Sequence, residues 1–210
     1  MKDNFTAVAV VLDRSGSMRS VLKDTIGGFN SFLEDQKKVD GECKFTLAMF
    51  DNKYDIVHDF IDIKDVPQLN ELTFVPRGTT ALFDAIGRTM NSLGTKLSEM
   101  KEEDRPSKVV LVVMTDGHEN ASKEFGKAKI AEMIEHQKTK YNWAIVFIGS
   151  DEVSVMQAQD MGVSKGCTLQ YSCDSVGTAV MYNDLSESLK SYRTKCAGPA
   201  CATSFFDGKQ

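Results

Sequence analysis

No stretch of this 210-residue chain approaches the roughly 18 consecutive apolar residues that a membrane-spanning helix needs. The first residues are not expected to act as a secretory signal either. Asp3 sits in the region that such a signal keeps basic, the apolar run Phe5–Leu12 is short, and no small-residue cleavage site follows. Basic residues are not in excess: the net charge is −5, which argues against a general nucleic-acid binder. The five cysteines (Cys43, Cys167, Cys173, Cys196 and Cys201) are odd in number and irregular in spacing. Without a secretion signal they are expected to be free thiols in a reducing compartment, which implies a cytoplasmic location. Cys196 and Cys201 offer too few ligands for a zinc site. Neither Gly-x-x-x-x-Gly-Lys-Ser/Thr nor Gly-x-Gly-x-x-Gly occurs, so no phosphate-cradling loop is written here. Internal repeats and low-complexity segments are absent as well.

What is present is an alternation of two periods. Near-continuous apolar, β-branched runs at Phe5–Leu12, Phe45–Phe50, Lys108–Met114 and Trp143–Ile148 read as strands buried on both faces, as in a parallel sheet. Between them lie helical spacings. Leu22, Ile26, Phe29 and Leu33 form one stripe, and Leu82, Ile86, Met90, Leu93 and Leu97 a clearer one. Ile130 with Ile134, and Val176 with Val180, mark two more, and Glu152–Met161 predicts a short helix stopped by Gly162. Phe50–Tyr54 reads as a hairpin turn into a strand over Tyr54–Ile61, giving one antiparallel pair at a sheet edge. A weak last strand lies near Thr168–Tyr171. The order β-α-β-β-α-β-α-β-α-β-α implies a doubly wound, Rossmann-like α/β fold with helices on both faces. Residues 1–195 are expected to form this domain and 196–210 a C-terminal tail.

In an open α/β sheet, ligands bind beyond the carboxyl ends of the strands, where the strand order reverses. Two strands run into an aspartate there: Asp13, in Asp13-Arg14-Ser15-Gly16-Ser17, and Asp116, in Thr115-Asp116-Gly117. The helix that begins near Thr80 must run down the sheet, so its N-terminus also lies at the top edge. Asp13, Ser15, Ser17, Thr80 and Asp116 are thus brought together from three remote stretches. Each alone could be a helix cap. As a set they are two carboxylates and three hydroxyls, with no sulfur or imidazole, which suits a hard cation such as Mg²⁺ or Mn²⁺.

These three pieces, in this order and on these elements, resemble the von Willebrand factor A domain with its metal-ion-dependent adhesion site. The resemblance covers about residues 5–195. Together with Thr25–Asn30 and Arg77–Leu82, it is most similar to the small single-domain intracellular versions of bacteria and their phages. It implies a six-stranded, mostly parallel sheet. It also implies that Ser15, Ser17 and Thr80 touch the metal directly, while Asp13 and Asp116 act mainly through metal-bound water. Thr79 is the alternative to Thr80. The implied function is not enzymatic: it is capture of a partner protein whose Glu or Asp completes the metal shell. A domain of this kind can also offer its own acidic residue to a neighbour's ion, which would assemble homo-oligomers.

Two other readings compete. Phosphatases of the haloacid dehalogenase type also place an aspartate after the first strand. They need a second carboxylate two residues on as general acid, and here that position is Ser15. A metal-free structural domain would leave the cluster as caps and surface hydrogen bonds. Around the site, Arg14 and Arg77 are expected either to meet an incoming carboxylate or to form ordinary surface ion pairs. His118 is either a rim contact or solvated, and Glu119 is expected to face solvent. His58 and His136 read as surface residues, Trp143 as core and Lys101–Arg105 as a solvated helix end. Gly27-Gly28 inside a helical pattern implies close packing on the sheet or a bend.

Overall fold

The computed structural model describes residues 1–195 and 199–206. Six strands form one sheet: β1 (Lys2–Asp13), β2 (Glu42–Phe50), β3 (Tyr54–Asp62), β4 (Pro106–Thr115), β5 (Ala144–Gly149) and β6 (Thr168–Gln170). Their order is β3-β2-β1-β4-β5-β6. Only the β2–β3 pair is antiparallel. Every residue of β5 and most of β1 and β4 are buried, as the unbroken apolar runs require of strands covered on both faces. The five helices are α1 (Leu22–Lys37), α2 (Leu82–Glu99), α3 (Lys127–Tyr141), α4 (Glu152–Asp160) and α5 (Ser175–Lys195).

Strand order reverses between β1 and β4. The first crossover carries the chain from β1 through α1 to β2, and a later one brings it back through α2 to β4 on the other side of β1. Right-handed crossovers in opposite directions put α1 and α2 on opposite faces. Accordingly α1 packs on α5, and α2 on α3. The carboxyl ends of β1 and β4, carrying Asp13 and Thr115, therefore flank the crevice.

Several boundaries differ from the sequence reading. α2 begins at Leu82, two residues past Thr80, with Ala81 at its cap in a non-helical conformation (φ −91°, ψ 64°); the N–H groups of Thr80 and Ala81 are bound to Asn120 Oδ1 (2.9 Å) and Asp51 O (2.9 Å). Trp143 is in the core but lies just before β5. Gly28 does mark a close approach, though to the ring of Tyr182 on α5 and not to the sheet. β3 lies at the edge and is irregular: its register against β2 shifts twice, and Phe60 has φ +58°. Such bulging blunts an edge against further strand pairing.

Beyond α5 the chain folds back. Phe205 and Phe206 are buried, Phe206 N donates to Gly166 O (2.7 Å), and the Phe205 ring packs on Tyr192 at 5.7 Å. The expectation of five free thiols needs correction. Cys43, Cys167 and Cys173 carry thiols outside any disulfide, whereas Cys201 is disulfide-bonded. Cys196 lies outside the described residues. Among the described residues, no helix is long and apolar enough to cross a membrane.

Candidate metal centre

Asp13, the last residue of β1, is fully buried. Its Oδ1 accepts the Ser15 N–H (2.6 Å), which curls the chain after the strand, and its Oδ2 accepts the Thr115 hydroxyl from neighbouring β4 (2.6 Å). That curl brings Ser15 and Ser17 side by side, Oγ to Oγ 3.0 Å. The Ser17 hydroxyl in turn donates to Asp116 Oδ1 (2.7 Å), just past β4. Thr80 arrives from the loop before α2. A Cβ placed on Gly117 would stand 3.3 Å from Thr80 Oγ1 and 3.9 Å from Ser17 Oγ, so Gly117 keeps open the space that these hydroxyls share. All five side chains picked out by spacing lie at this one point of the sheet edge. Thr80 is buried there while Thr79 is exposed.

The electrostatics of the cluster are unusual. Burial pushes the Asp13 carboxyl up to about 6. The hydrogen bonds from Thr115 and Ser15 pull against this, and the charge of Asp116 adds to it. Burial also raises Asp116, opposed by hydrogen bonds from the two serines and its own backbone. For both groups the opposing influences are hydrogen bonds, not a cationic side chain. Two desolvated carboxylates beside three hydroxyls form an oxygen-only donor set with uncompensated negative charge. This fits a small divalent cation, and it offers nothing to a soft metal. Among the described residues, no three His, Cys, Asp or Glu side chains converge on a metal position; this cluster has two carboxylates and relies on hydroxyls for the rest.

Arg14 and Arg77 are not held for a partner, nor are they ordinary surface pairs. Asp51, fully buried in the β2–β3 turn, accepts both Nε groups on one oxygen, from Arg14 at 3.0 Å and from Arg77 at 2.8 Å. Asp55 completes the network with Arg14 and, at 3.6 Å, with Arg77. Burial works to raise Asp51, but hydrogen bonds from Arg77, the Lys53 N–H and Arg14 overcome it and hold the carboxyl below its ordinary value. Glu119 does not face solvent either. It accepts the Phe83, Ala121 and Ser122 N–H groups (2.9, 2.9 and 2.7 Å), capping the start of α2 and tying the β4–α3 loop to it. Asn120 grips Thr80 through both backbone groups, and Asp84 accepts three consecutive N–H groups at 123–125, each at 2.9 Å. His118 stands exposed on the rim, its Nε2 2.7 Å from Asp151 Oδ2.

Asp51, Asp84 and Asn120 do not figure in the sequence reading. One signal for Asp84 was available: an acid inside the apolar run Leu82–Ile86, at a position that faces the core.

Comparison with known proteins agrees with this architecture. The family model described as von Willebrand factor type A domain matches residues 7–185. No curated protein sequence matches the chain. Among solved structures, the vWF domain of the type V pili tip protein Mfa5 from Porphyromonas gingivalis superposes with TM-score 0.67 at 11% identity, covering 94% of this chain and 99% of that one. Proximal thread matrix protein 1 from the mussel byssus gives 0.63 at 14% identity over 86% of this chain and 46% of its own. This chain thus spans about half the length of the mussel protein. Manganese-loaded TRAP protein from Plasmodium vivax gives 0.55 at 14% identity, over 86% of this chain and 73% of its own.

Proposed function

The chain belongs to the von Willebrand factor type A domain family, and on that premise we propose that it is a metal-dependent protein-binding module. Asp13, Ser15, Ser17, Thr80 and Asp116 would hold one Mg²⁺ or Mn²⁺ ion, with an acidic residue of a partner protein completing its shell. One observation carries this reading: a fully buried carboxylate, Asp13, and a partly buried one, Asp116, share a point with three hydroxyls, and among the described residues no cationic side chain balances them. Leaving charges unpaired in a desolvated site is costly unless something from solution compensates them. Two structural neighbours are described with metal, the manganese-loaded Plasmodium protein and a form of the mussel protein with zinc in its MIDAS motif. Their low identity extends the fold to this chain, and the donor set here points to a harder ion than zinc.

In this reading the ion would supply an electrophilic position for an incoming carboxylate. The chain's own residues hold the donors: Thr115 and the Ser15 N–H fix Asp13, Ser150 Oγ binds Asp116 O at 2.8 Å, and Asn120 fixes Thr80. Phosphoryl transfer of the haloacid dehalogenase kind is disfavoured because Ser15 stands where a general acid would be needed, and an aliphatic hydroxyl is far too weak an acid for that role. Isothermal calorimetry with Mg²⁺ and Mn²⁺ tests the proposal. Wild type should bind one ion per chain and Asp13→Ala none. Equal binding by both proteins, or binding by neither, overturns it.

A further inference from the structure

The three segments that carry or precede the metal donors are stitched together on the side away from Asp116. Arg14, between Asp13 and Ser15, takes its backbone partners from the other two segments: its N–H donates to Phe50 O (2.8 Å), and its carbonyl accepts the Arg77 N–H (2.9 Å). Gly16 N–H reaches Gly78 O at 3.2 Å, and Ala81 N–H, next to Thr80, reaches Asp51 O at 2.9 Å. Gly78 has φ +68°, and a Cβ there would strike Asn52 of the same turn. At the centre is one carboxylate oxygen, Asp51 Oδ2, between two guanidinium groups. Arg14 is only 8% exposed, whereas the Arg77 side chain is 49% exposed.

We propose that Asp51 is a positioning residue of the metal centre: by bridging Arg14 to Arg77 it sets the separation of Ser15 and Ser17 from Thr80, and so the affinity of the site, without touching the ion. This inference rests on the metal-binding reading given above. Two guanidinium groups converging on one oxygen repel each other when that oxygen loses its charge. Asp55, half exposed, binds both arginines but only from the solvent side. Arg77 is the freer of the two, so the loop that would yield is Arg77–Thr80, pulling Thr80 out of position against the hold of Asn120. Arg14 stays, held by its N–H bond to Phe50 O (2.8 Å) and by its burial. Residues that support metal ligands from behind typically govern affinity by ten- to a hundredfold.

The test is Mn²⁺ titration of the folded full chain, read by calorimetry and by the water-proton relaxation of the bound ion. Four proteins are compared: wild type, Asp51→Asn, Arg77→Gln and Leu189→Ala. Leu189 lies in the core about 20 Å down α5 from the sheet edge. Truncating it lowers stability without disturbing the loops. Asp51→Asn should weaken binding on the order of tenfold or more and change the relaxation of bound Mn²⁺, as water takes the place of the Thr80 hydroxyl. Arg77→Gln should shift both readouts in the same direction by less, and it decides the question if Asp51→Asn does not fold. Leu189→Ala should match wild type in both. If wild type binds Mn²⁺ and the Asp51 and Arg77 variants bind it equally well, or if Leu189→Ala loses as much as they do, the positioning role is overturned and the metal reading stands. If wild type binds no ion, both fall.

Discussion

Asp13 and Asp51 are the same side chain in nearly the same place. Each is fully buried, each stands where one of two neighbouring parallel strands meets the top edge, and each accepts the N–H two residues on, at 2.6 and 2.7 Å. They differ in countercharge. Asp51 has two arginines and stays below the ordinary carboxylate value, while Asp13 has only hydrogen bonds and is pushed up to about 6. Burial alone therefore does not set the two carboxylates apart; the countercharge does, and on it rests the proposal that Asp13 is a ligand. The arginines sharpen the point. Although Arg14 directly follows Asp13, its guanidinium points to the next loop, so the ion-free cluster stays negative.

The largest expected effect comes from removing charge where the chain provides its partner. Asp51→Asn leaves Arg14 buried beside a neutral amide and should cost about 3–5 kcal/mol in stability by chemical denaturation. The pH dependence follows from the direction of the shift. A carboxyl held below its unfolded value stabilises the fold above that value, and the contribution is lost as pH falls through the folded one. Asp51→Asn should therefore also flatten the acid limb of the stability profile below about pH 4.

The same exchange at Asp13 should act in the opposite direction. Its folded pKa, about 6, lies above the unfolded 3.8, so the metal-free protein loses stability as pH rises from about 4 to about 6 and stays at the lower level above that. An asparagine can keep both contacts: its Oδ1 accepts the Ser15 N–H, and its amide donates to Thr115 Oγ1, whose own proton is then free for Gly117 O. Asp13→Asn should raise the stability of the metal-free protein at pH 7.5 by about 1–3 kcal/mol. It should also abolish the rise in melting temperature that Mg²⁺ gives wild type. A variant less stable than wild type without metal would break the comparison.

An intermediate effect is expected from the clamp on Thr80. Asn120→Ala removes the acceptor for the Thr80 N–H while leaving the Asn120 N–H to Thr80 O bond (3.0 Å) in place. One lost hydrogen bond at a partly buried group costs about 1 kcal/mol. Stability should fall by that amount, and thermal shift by Mg²⁺ should shrink along with it.

What the sequence made legible and what it hid follow the same division. Element order could be read because strands buried on both faces leave unbroken apolar runs, as at Val8–Leu12 and Val109–Met114. Asp13, Ser15, Ser17, Thr80 and Asp116 could be selected because topology puts strand ends and the start of a descending helix at one edge, whatever the loops do. The support behind them depends on loop conformation and was not legible. Arg77 reaches Asp51 across 26 residues, Asn120 reaches Thr80 across 40, and Asp84 serves N–H groups 39 to 41 residues on. No periodicity encodes such pairings.

The smallest effect tests whether lacking a partner is enough by itself to mark a ligand site. Tyr182 Oη is buried and has no hydrogen-bond partner, as is also true of Thr178 Oγ1 one turn earlier on α5. Unlike Asp13, Tyr182 is neutral at pH 7, since burial pushes its hydroxyl further above the physiological range. A neutral orphan costs the desolvation of one hydroxyl and attracts no cation. Tyr182→Phe keeps the ring that packs against Gly28 and removes only that cost. Stability should rise by about 1 kcal/mol or less, and by the same increment with and without Mg²⁺. Equal increments would identify charge, not the missing partner, as what sets the Asp13 cluster apart as the proposed metal centre. An increment that Mg²⁺ changed would instead couple the α1–α5 face to the ion and erase the distinction drawn between the two kinds of buried polar group.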